Sequence, residues 1–111
     1  MPTMQELLRE TTEKGASDLH LSAGEPPRVR IDGDLVRTDH PTLTADAVNA
    51  LVATIMSPAQ QERFTTEHEV DFSCALPDIG RFRVNIFLHS RGPGAVLRVI
   101  PTTIPSLESL G

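Results

Sequence analysis

The 111-residue chain has no tryptophan or tyrosine, four phenylalanines, one cysteine and one lysine. A single cysteine, Cys74, excludes an intramolecular disulfide and a cysteine-based metal site. No stretch approaches the roughly 20 apolar residues that a membrane-spanning helix requires. The N-terminus lacks a basic region followed by an apolar run, so we expect a cytoplasmic protein without a signal peptide.

The chain also lacks the phosphate-binding loop G-x-x-x-x-G-K-S/T, and its only lysine, Lys14, follows the first predicted helix. Asp18 and His20 lie two positions apart on a predicted strand and therefore share a face. Two ligands do not complete a metal site, so a hydrogen-bonded structural histidine is the favoured interpretation. We expect no catalytic residue and no metal site within these 111 residues.

The charge balance is acidic, with fifteen Asp+Glu against ten Lys+Arg and a formal charge of −5. This balance argues against nucleic acid as a partner, because neutralising phosphates requires a net basic surface. Nine of the ten basic residues are arginine, which is suited to bidentate contacts with oxyanions. A GC-rich genome would also favour arginine codons, so the bias alone does not indicate a site.

Three helices are predicted. A capping box at Thr3 and Glu6 begins the first, and Gly15 is placed to end it. Its core side carries Met4, Leu7, Leu8 and Thr11. The second helix is predicted from apolar residues at helical spacing, namely Val48, Leu51, Val52, Ile55 and Met56. The third has Ser57 as its cap, Pro58 at the first position, Gln60 as the return partner and Phe64 as its anchor.

The strands are predicted from alternation and turn residues. Asp18 begins a short strand, and Asp32-Gly33 predicts a tight hairpin turn. Its flanking segments place Val29, Ile31 and Val36 on the core side and Arg28, Arg30 and Arg37 on the outer side. Residues 70–74 alternate as a further strand with Cys74 facing inward. Two long antiparallel hairpins with amphipathic helices predict an α+β domain, a sheet covered on one face.

The last hairpin carries a row of arginines. Pairing its strands about a turn near Arg91-Gly92 predicts that Asn85 lies opposite Arg98. Alternation then sets Arg81, Arg83, Asn85 and Arg98 on one face. Phe82, Val84, Ile86, Leu88, Ala95, Leu97 and Val99 point to the other face, toward the core. Such a row of cations either lies on a solvated surface or binds an anion.

Several segments together resemble the PilT family, cytosolic hexameric motor ATPases that retract type IV pili, within the secretion-ATPase superfamily. The resemblance rests on residues 15–24 (GASDLHLSAG), 30–34 (RIDGD), 70–73 (VDFS), 80–85 (GRFRVN), 97–101 (LRVIP) and 107–111 (LESLG). These segments occur in the family's order and span nearly the whole chain.

The resemblance implies an N-terminal domain with a PAS-like α+β fold over residues 1–101. Residues 102–111 are then expected to begin a linker to a RecA-like ATPase domain, which carries the family's Walker motifs, metal-binding acids and catalytic glutamate. The chain by itself is therefore expected to be inactive. About fifteen residues precede the ASDLH segment. An N-terminus of this length is similar to that of the retraction ATPases, whereas the assembly and type II secretion ATPases have long N-terminal extensions.

The resemblance also implies a site and partners. The domain is expected to pack on the RecA-like domains of its own and a neighbouring subunit in a homohexamer. There Arg83 and Arg98, with Arg81 as a weaker candidate, would contact the phosphates of ATP. ATP and Mg²⁺ are the cofactors expected of the full-length protein, and none is expected for the chain alone. Partners at the inner membrane would be the pilus machinery.

Three alternatives stay open. PAS-like folds often bind small molecules inside the sheet–helix core, so a sensor is one alternative, and an adaptor domain is another. An N-terminal domain of a related pilus-assembly or type II secretion ATPase is the third. A filled core would count against the sensor, and a sizeable internal cavity would favour it.

Overall fold

The computed structural model describes residues 2–101. It contains three helices, α1 (Met4–Glu13), α2 (Ala45–Ala53) and α3 (Pro58–Glu67). Six strands complete it: β1 (Asp18–Ser22), β2 (Arg28–Ile31), β3 (Asp34–Arg37), β4 (Glu69–Leu76), β5 (Gly80–His89) and β6 (Gly92–Ile100). The predicted order of helix, strand, hairpin, helices and three strands is confirmed.

The six strands form one sheet in the order β3-β2-β1-β6-β5-β4, and each neighbouring pair is antiparallel. The two central strands, β1 and β6, pair from Asp18↔Arg98 to Ser22↔Gly94. This pairing joins the N-terminal hairpin to the C-terminal three strands. The predicted α+β class, an antiparallel sheet with amphipathic helices packed on one face, is confirmed.

The core lies between the helices and one face of the sheet. From α1 and α2 it receives Met4, Leu7, Leu8, Val48, Leu51 and Val52, and from the strands it receives Leu19, Leu21, Val29, Val70, Phe82, Val84, Ile86, Ala95 and Leu97, all buried. Phe64 of α3 packs partly buried against this cluster, as predicted. Cys74 faces the same side but is only partly buried.

The helix starts follow the predicted capping. The Thr3 hydroxyl accepts a hydrogen bond from the Glu6 amide at 3.1 Å, and the Glu6 carboxylate accepts one from the Thr3 amide at 2.8 Å. Ser57 and Gln60 form the same reciprocal pair at α3. These bonds satisfy amides that an α-helix leaves without intrahelical partners. After α1, Gly15 has φ 68°, a left-handed conformation that ends the helix.

Helix α2 is shorter than its apolar spacing predicts. It ends at Ala53, so Ile55 and Met56 lie after it, although both still pack partly buried against the core. After Ala53 the chain tightens, because the amides of Thr54, Ile55 and Met56 donate to carbonyl oxygens three residues back instead of four. Pro58 then excludes Ser57 from the helix, since the residue before a proline favours extended backbone. Ser57 adopts ψ 163° and caps α3 instead of continuing α2.

The β2–β3 hairpin has the predicted two-residue turn. Ile31 pairs with Asp34, and both turn residues have positive φ, 52° at Asp32 and 86° at Gly33. Positive φ at both central positions is the type I′ geometry, which matches the twist of the strands. The outer edge is less covered than predicted, because Val36 on edge strand β3 is 43% exposed.

The predicted register of the β5–β6 hairpin is wrong by two residues. His89 pairs with Gly92, so Ser90 and Arg91 form the turn, and Arg83 rather than Asn85 lies opposite Arg98. Because the shift is even, the predicted faces are preserved. Leu88 is the exception in burial, since at the end of the strand it is 50% exposed and leaves the core.

Among residues 2–101, no helix is long and apolar enough to cross a membrane. The linker expected at residues 102–111, and the resemblance at residues 107–111, lie outside the described residues.

The two leucines Leu8 and Leu88 test the position of the core. Leu8 is fully buried, so Leu8→Ala removes its apolar contacts and leaves a cavity, and we expect the free energy of unfolding to fall by about 3 kcal/mol. Leu88→Ala makes the same chemical change at a half-exposed site and should cost less than about 1 kcal/mol. Urea denaturation measures both, and equal losses would contradict the described core.

Candidate functional site

The face of the sheet opposite the helices carries six of the nine arginines. Alternation along β2, β3, β5 and β6 directs Arg28, Arg30, Arg37, Arg81, Arg83 and Arg98 to this face. In a protein of net charge −5, this concentration makes the open face much more cationic than the rest of the domain. We call it the arginine face.

Arg83 and Arg98 lie directly opposite each other on β5 and β6. Both are exposed, and they line a shallow depression of about 250 Å³ together with Asp71, Asn85 and Val96. The predicted proximity of the two arginines is therefore present, and the corrected register makes it closer than the sequence indicated. A pair of opposed guanidinium groups on a rigid hairpin is suited to an oxyanion.

Asp71 of β4 holds Arg83 in place. Arg83 Nη2 donates to Asp71 Oδ2 at 3.0 Å, and Arg83 Nε donates to Asp71 Oδ1 at 3.4 Å. The hydrogen bond from Arg83, and then the negative charge of Asp71, raise the pKa of the Arg83 guanidinium, which stays cationic. Beside it, Asn85 Nδ2 donates to Glu69 Oε2 at 3.3 Å.

Sequence reasoning missed Asp71. The signal was available, since Asp71 alternates with Val70 and Phe72 and so faces the open side of β4. It lies opposite Asn85, and therefore diagonal to Arg83, a distance that long side chains bridge.

Arg98 differs from Arg83 in its surroundings. Among residues 2–101 it forms no ion pair and no side-chain hydrogen bond, so its guanidinium is free to take a new partner. Arg81, the weaker candidate, is exposed on the same face opposite Ile100 but does not line the depression.

A buried carboxylate lies next to this pair. Asp18 of β1 is opposite Arg98 on one side and Arg30 on the other, and it is only 4% exposed. Its carboxylate accepts a hydrogen bond from the Ser17 hydroxyl at 2.6 Å and contacts His20 Nε2 and, at 3.5 Å, Arg30 Nε. The predicted hydrogen bond of His20 is thus present, with Asp18 as its partner.

Burial raises the pKa of Asp18, but the other groups outweigh it. The hydrogen bonds from Ser17 and His20, followed by the charges of His20 and Arg30, leave the Asp18 pKa lower than its ordinary value of 3.8. The ionised carboxylate is therefore the form that the fold stabilises. It counters the cations around it and gives the centre of the arginine face a fixed negative charge.

The depression presents mainly hydrogen-bond donors and positive charge. The depression offers guanidinium and amide donors from Arg83, Arg98 and Asn85, with one carboxylate, Asp71, already engaged. It contains no serine, cysteine or histidine that could act as a nucleophile or a general base.

Comparison with known proteins extends these observations. Over 106 residues the chain is 48% identical to the type IV pilus retraction ATPase PilT of Pseudomonas aeruginosa, covering 96% of this chain and 31% of that protein. It is 44% identical over 84 residues to a twitching motility protein of Neisseria gonorrhoeae, covering 76% of this chain and 22% of that protein. The chain thus spans about a third or less of these relatives.

The search of solved structures matches the same kind of protein as the sequence comparison. A crystal structure of the pilus retraction motor PilT with bound ADP matches with a TM-score of 0.88 at 36% identity, covering 95% of this chain and 31% of that one. The Legionella pneumophila ATPase DotB matches with a TM-score of 0.77 at 26% identity, covering 96% and 30%. No family model matches the chain.

The sheet and the helices on one face match an N-terminal domain of the secretion-ATPase superfamily. Within that superfamily the chain belongs to the PilT family, whose N-terminal domain has this fold.

Asp18 makes stability depend on pH. Because its pKa is lowered on folding, its contribution is complete above the ordinary value of 3.8 and is lost as pH falls through the folded value. We expect Asp18→Asn to reduce the free energy of unfolding by about 2 kcal/mol at pH 7, since it removes a buried, hydrogen-bonded charge. The difference from the parent protein should shrink in denaturation curves taken below pH 4.

Asp34→Asn is the matched control for Asp18→Asn. It removes one negative charge from an exposed position on β3 and should change stability by less than about 0.5 kcal/mol. A difference for Asp18→Asn that stays constant down to pH 2 would contradict the assigned role of the carboxylate.

Proposed function

We propose that the chain is the N-terminal domain of a hexameric motor ATPase that powers type IV pilus retraction, and that it supplies Arg83 and Arg98 to ATP bound on a neighbouring subunit. The observation that supports this most strongly is the direct opposition of these two arginines on one hairpin, within a PilT-family fold. ATP is held by a RecA-like domain in this proposal, and the hairpin completes the site from outside.

The chemistry of the arginine pair fits a polyphosphate. Negative charge spreads over the phosphoryl oxygens during transfer, and a guanidinium supplied from another domain stabilises it through bidentate hydrogen bonds. Arg98 has no ion pair among the described residues, whereas Arg83 is oriented by Asp71. In this arrangement Arg83 is the positioned donor and Arg98 is the one that moves to the phosphate. Arg81 lies close enough on β5 to assist from the rim.

The metal is assigned to the other domain. Among residues 2–101, no three His, Cys, Asp or Glu side chains converge as a metal site. We propose that Mg²⁺ is bound by the ATPase domain with the nucleotide, where it neutralises phosphate charge. The contribution of this chain is then limited to orienting Arg83 and Arg98 and to covering the nucleotide when the domains close. Cytoplasmic location, at the membrane-bound pilus machinery, is part of the same proposal.

The packing favours a motor domain over a small-molecule sensor. The interior is filled by large apolar side chains that are less than 2% exposed, including Phe82, Met4 and Leu97. Three depressions in the described part of the chain are open to solvent. Two lie on the sheet face, and one lies between the start of α1 and the end of α2. A sensor of the PAS-like type would instead place its ligand inside the core.

Substituting the two arginines tests the proposed role. In the full-length protein, Arg83→Ala and Arg98→Ala should each lower the rate of ATP turnover about 100-fold, because each removes a charged donor from the transition state. Arg63→Ala, an exposed arginine on α3, is the control and should leave turnover within about twofold. Steady-state hydrolysis assays measure the rates, and circular dichroism checks that the variants fold. Normal turnover in both variants would refute the role.

A second test concerns the chain alone. The 111 residues should hydrolyse no ATP above background, because the sequence has no phosphate-binding loop and the one carboxylate of the depression, Asp71, is paired with Arg83. Release of inorganic phosphate from ATP and Mg²⁺ is the measurement. Hydrolysis that follows the protein through successive purification steps would show that an active site has been overlooked.

A further inference from the structure

A second pair of opposed arginines lies at the other end of the arginine face. Arg28 of β2 and Arg37 of β3 are cross-strand partners in the hairpin register. Directly opposed residues of an antiparallel pair have Cα atoms about 4.5 to 5.5 Å apart, and like charges at such positions destabilise a sheet. The sheet would therefore be more stable with a neutral pair of residues in place of Arg28 and Arg37.

The chain itself provides no counterion for this pair. Among residues 2–101, neither Arg28 nor Arg37 forms an ion pair, whereas the neighbouring Arg30 is bound to Asp18 and to the Gly33 carbonyl oxygen, the latter at 3.0 Å. Asp18, a carboxylate on the same face, is engaged by Ser17, His20 and Arg30.

Arg28 shows an unmet hydrogen-bonding group as well. Its Nε atom is buried, yet it has no hydrogen-bond partner in the described part of the chain. Buried polar side-chain atoms nearly always have a partner, and a buried donor without one costs free energy. The buried Nε shows that part of the Arg28 side chain is shielded from water, on a residue whose cross-strand partner is Arg37.

This pair is separate from Arg83 and Arg98. Three strand spacings, on the order of 14 Å, lie between the centres of the two pairs. The Asp18 carboxylate and its partners occupy the strand between them. An anion held at Arg28 and Arg37 would thus occupy a site of its own.

We propose that Arg28 and Arg37 form a second oxyanion site, which binds a phosphate group carrying close to two negative charges. A phosphate monoester or inorganic phosphate carries −1.5 to −2 near neutral pH and offers several acceptor oxygens, enough to neutralise two guanidinium groups. A single carboxylate would neutralise only one of them. This site does not depend on the proposed motor function.

Arginine-detected NMR tests the site with inorganic phosphate as the probe. In the 111-residue chain, phosphate should shift the Nε–Hε signals of Arg28 and Arg37 in a saturable way, at constant ionic strength set with chloride. Arg28→Gln and Arg37→Gln should each weaken binding about tenfold, the loss expected for one charge-assisted contact. Arg28→Lys keeps the charge but loses the planar fork, and should bind with intermediate affinity.

Two controls separate this site from general charge effects and from the first pair. Arg63→Gln removes an equal charge from exposed α3 and should change the affinity less than twofold. Arg83→Gln should leave the shifts at Arg28 and Arg37 intact. Arg37 is exposed, so Arg37→Gln still tests the site if Arg28→Gln fails to fold. Absent or non-saturating shifts, or an affinity of Arg37→Gln for phosphate within twofold of that of the parent chain, would overturn the proposal.

Further arms identify the source of the phosphate group. The same assay compares inorganic phosphate with ATP and with phosphatidylcholine vesicles that contain phosphatidic acid. Vesicles of pure phosphatidylcholine are the blank. Tighter binding of one of the three by the parent chain, lost in Arg37→Gln, supports the site and assigns it to nucleotide, lipid headgroup or free phosphate. A response to the vesicles that is equal in Arg37→Gln would count against the site.

Discussion

The two-residue alternation of side chains across paired strands is the constraint on which this domain depends. From β3 to β4, each cross-strand pair keeps apolar residues on one face, as in the row Val36, Val29, Leu19, Leu97, Val84 and Phe72. The neighbouring row on the opposite face contains Arg30, Asp18, Arg98 and Arg83. A slip of one residue anywhere would bury guanidinium groups and expose the core. The packing of the core therefore fixes which residues lie on the arginine face.

Charge on the open face is organised by two carboxylates of different kinds. Asp18 is buried, accepts hydrogen bonds from Ser17 and His20, forms an ion pair with Arg30, and stays ionised because these groups outweigh its burial. Asp71 is exposed and engages one arginine. Asp18 places a negative charge at the centre of the arginine face, and Asp71 orients the side chain of Arg83. Four of the arginines on the face, Arg28, Arg37, Arg81 and Arg98, have no ion pair among residues 2–101, so the face still carries excess positive charge.

Local patterns predicted much of the fold. The capping boxes at Thr3 and Ser57, the Asp32-Gly33 turn and the sidedness of each strand depend on a few neighbouring residues, and they are confirmed. The position of the last turn was not predictable in this way, because Arg91-Gly92 looks as suitable as Ser90-Arg91, and only pairing along the full strands decides between them. The contact of Asp71 with Arg83 and the pairing of β1 with β6 both depend on which strands become neighbours. Periodicity along the chain does not specify that order.

The central position of β6 has a mechanical consequence. This strand is bonded along its length to β1 on one side and to β5 on the other, and Pro101 follows its last residue three positions beyond Arg98. Tension applied at Pro101 along the strand would load both hydrogen-bond ladders in shear, so that many bonds share the force instead of opening one after another. Arg98 would then move with the sheet as a rigid unit under load. The strand is thus placed to transmit force along the same path that carries the arginine.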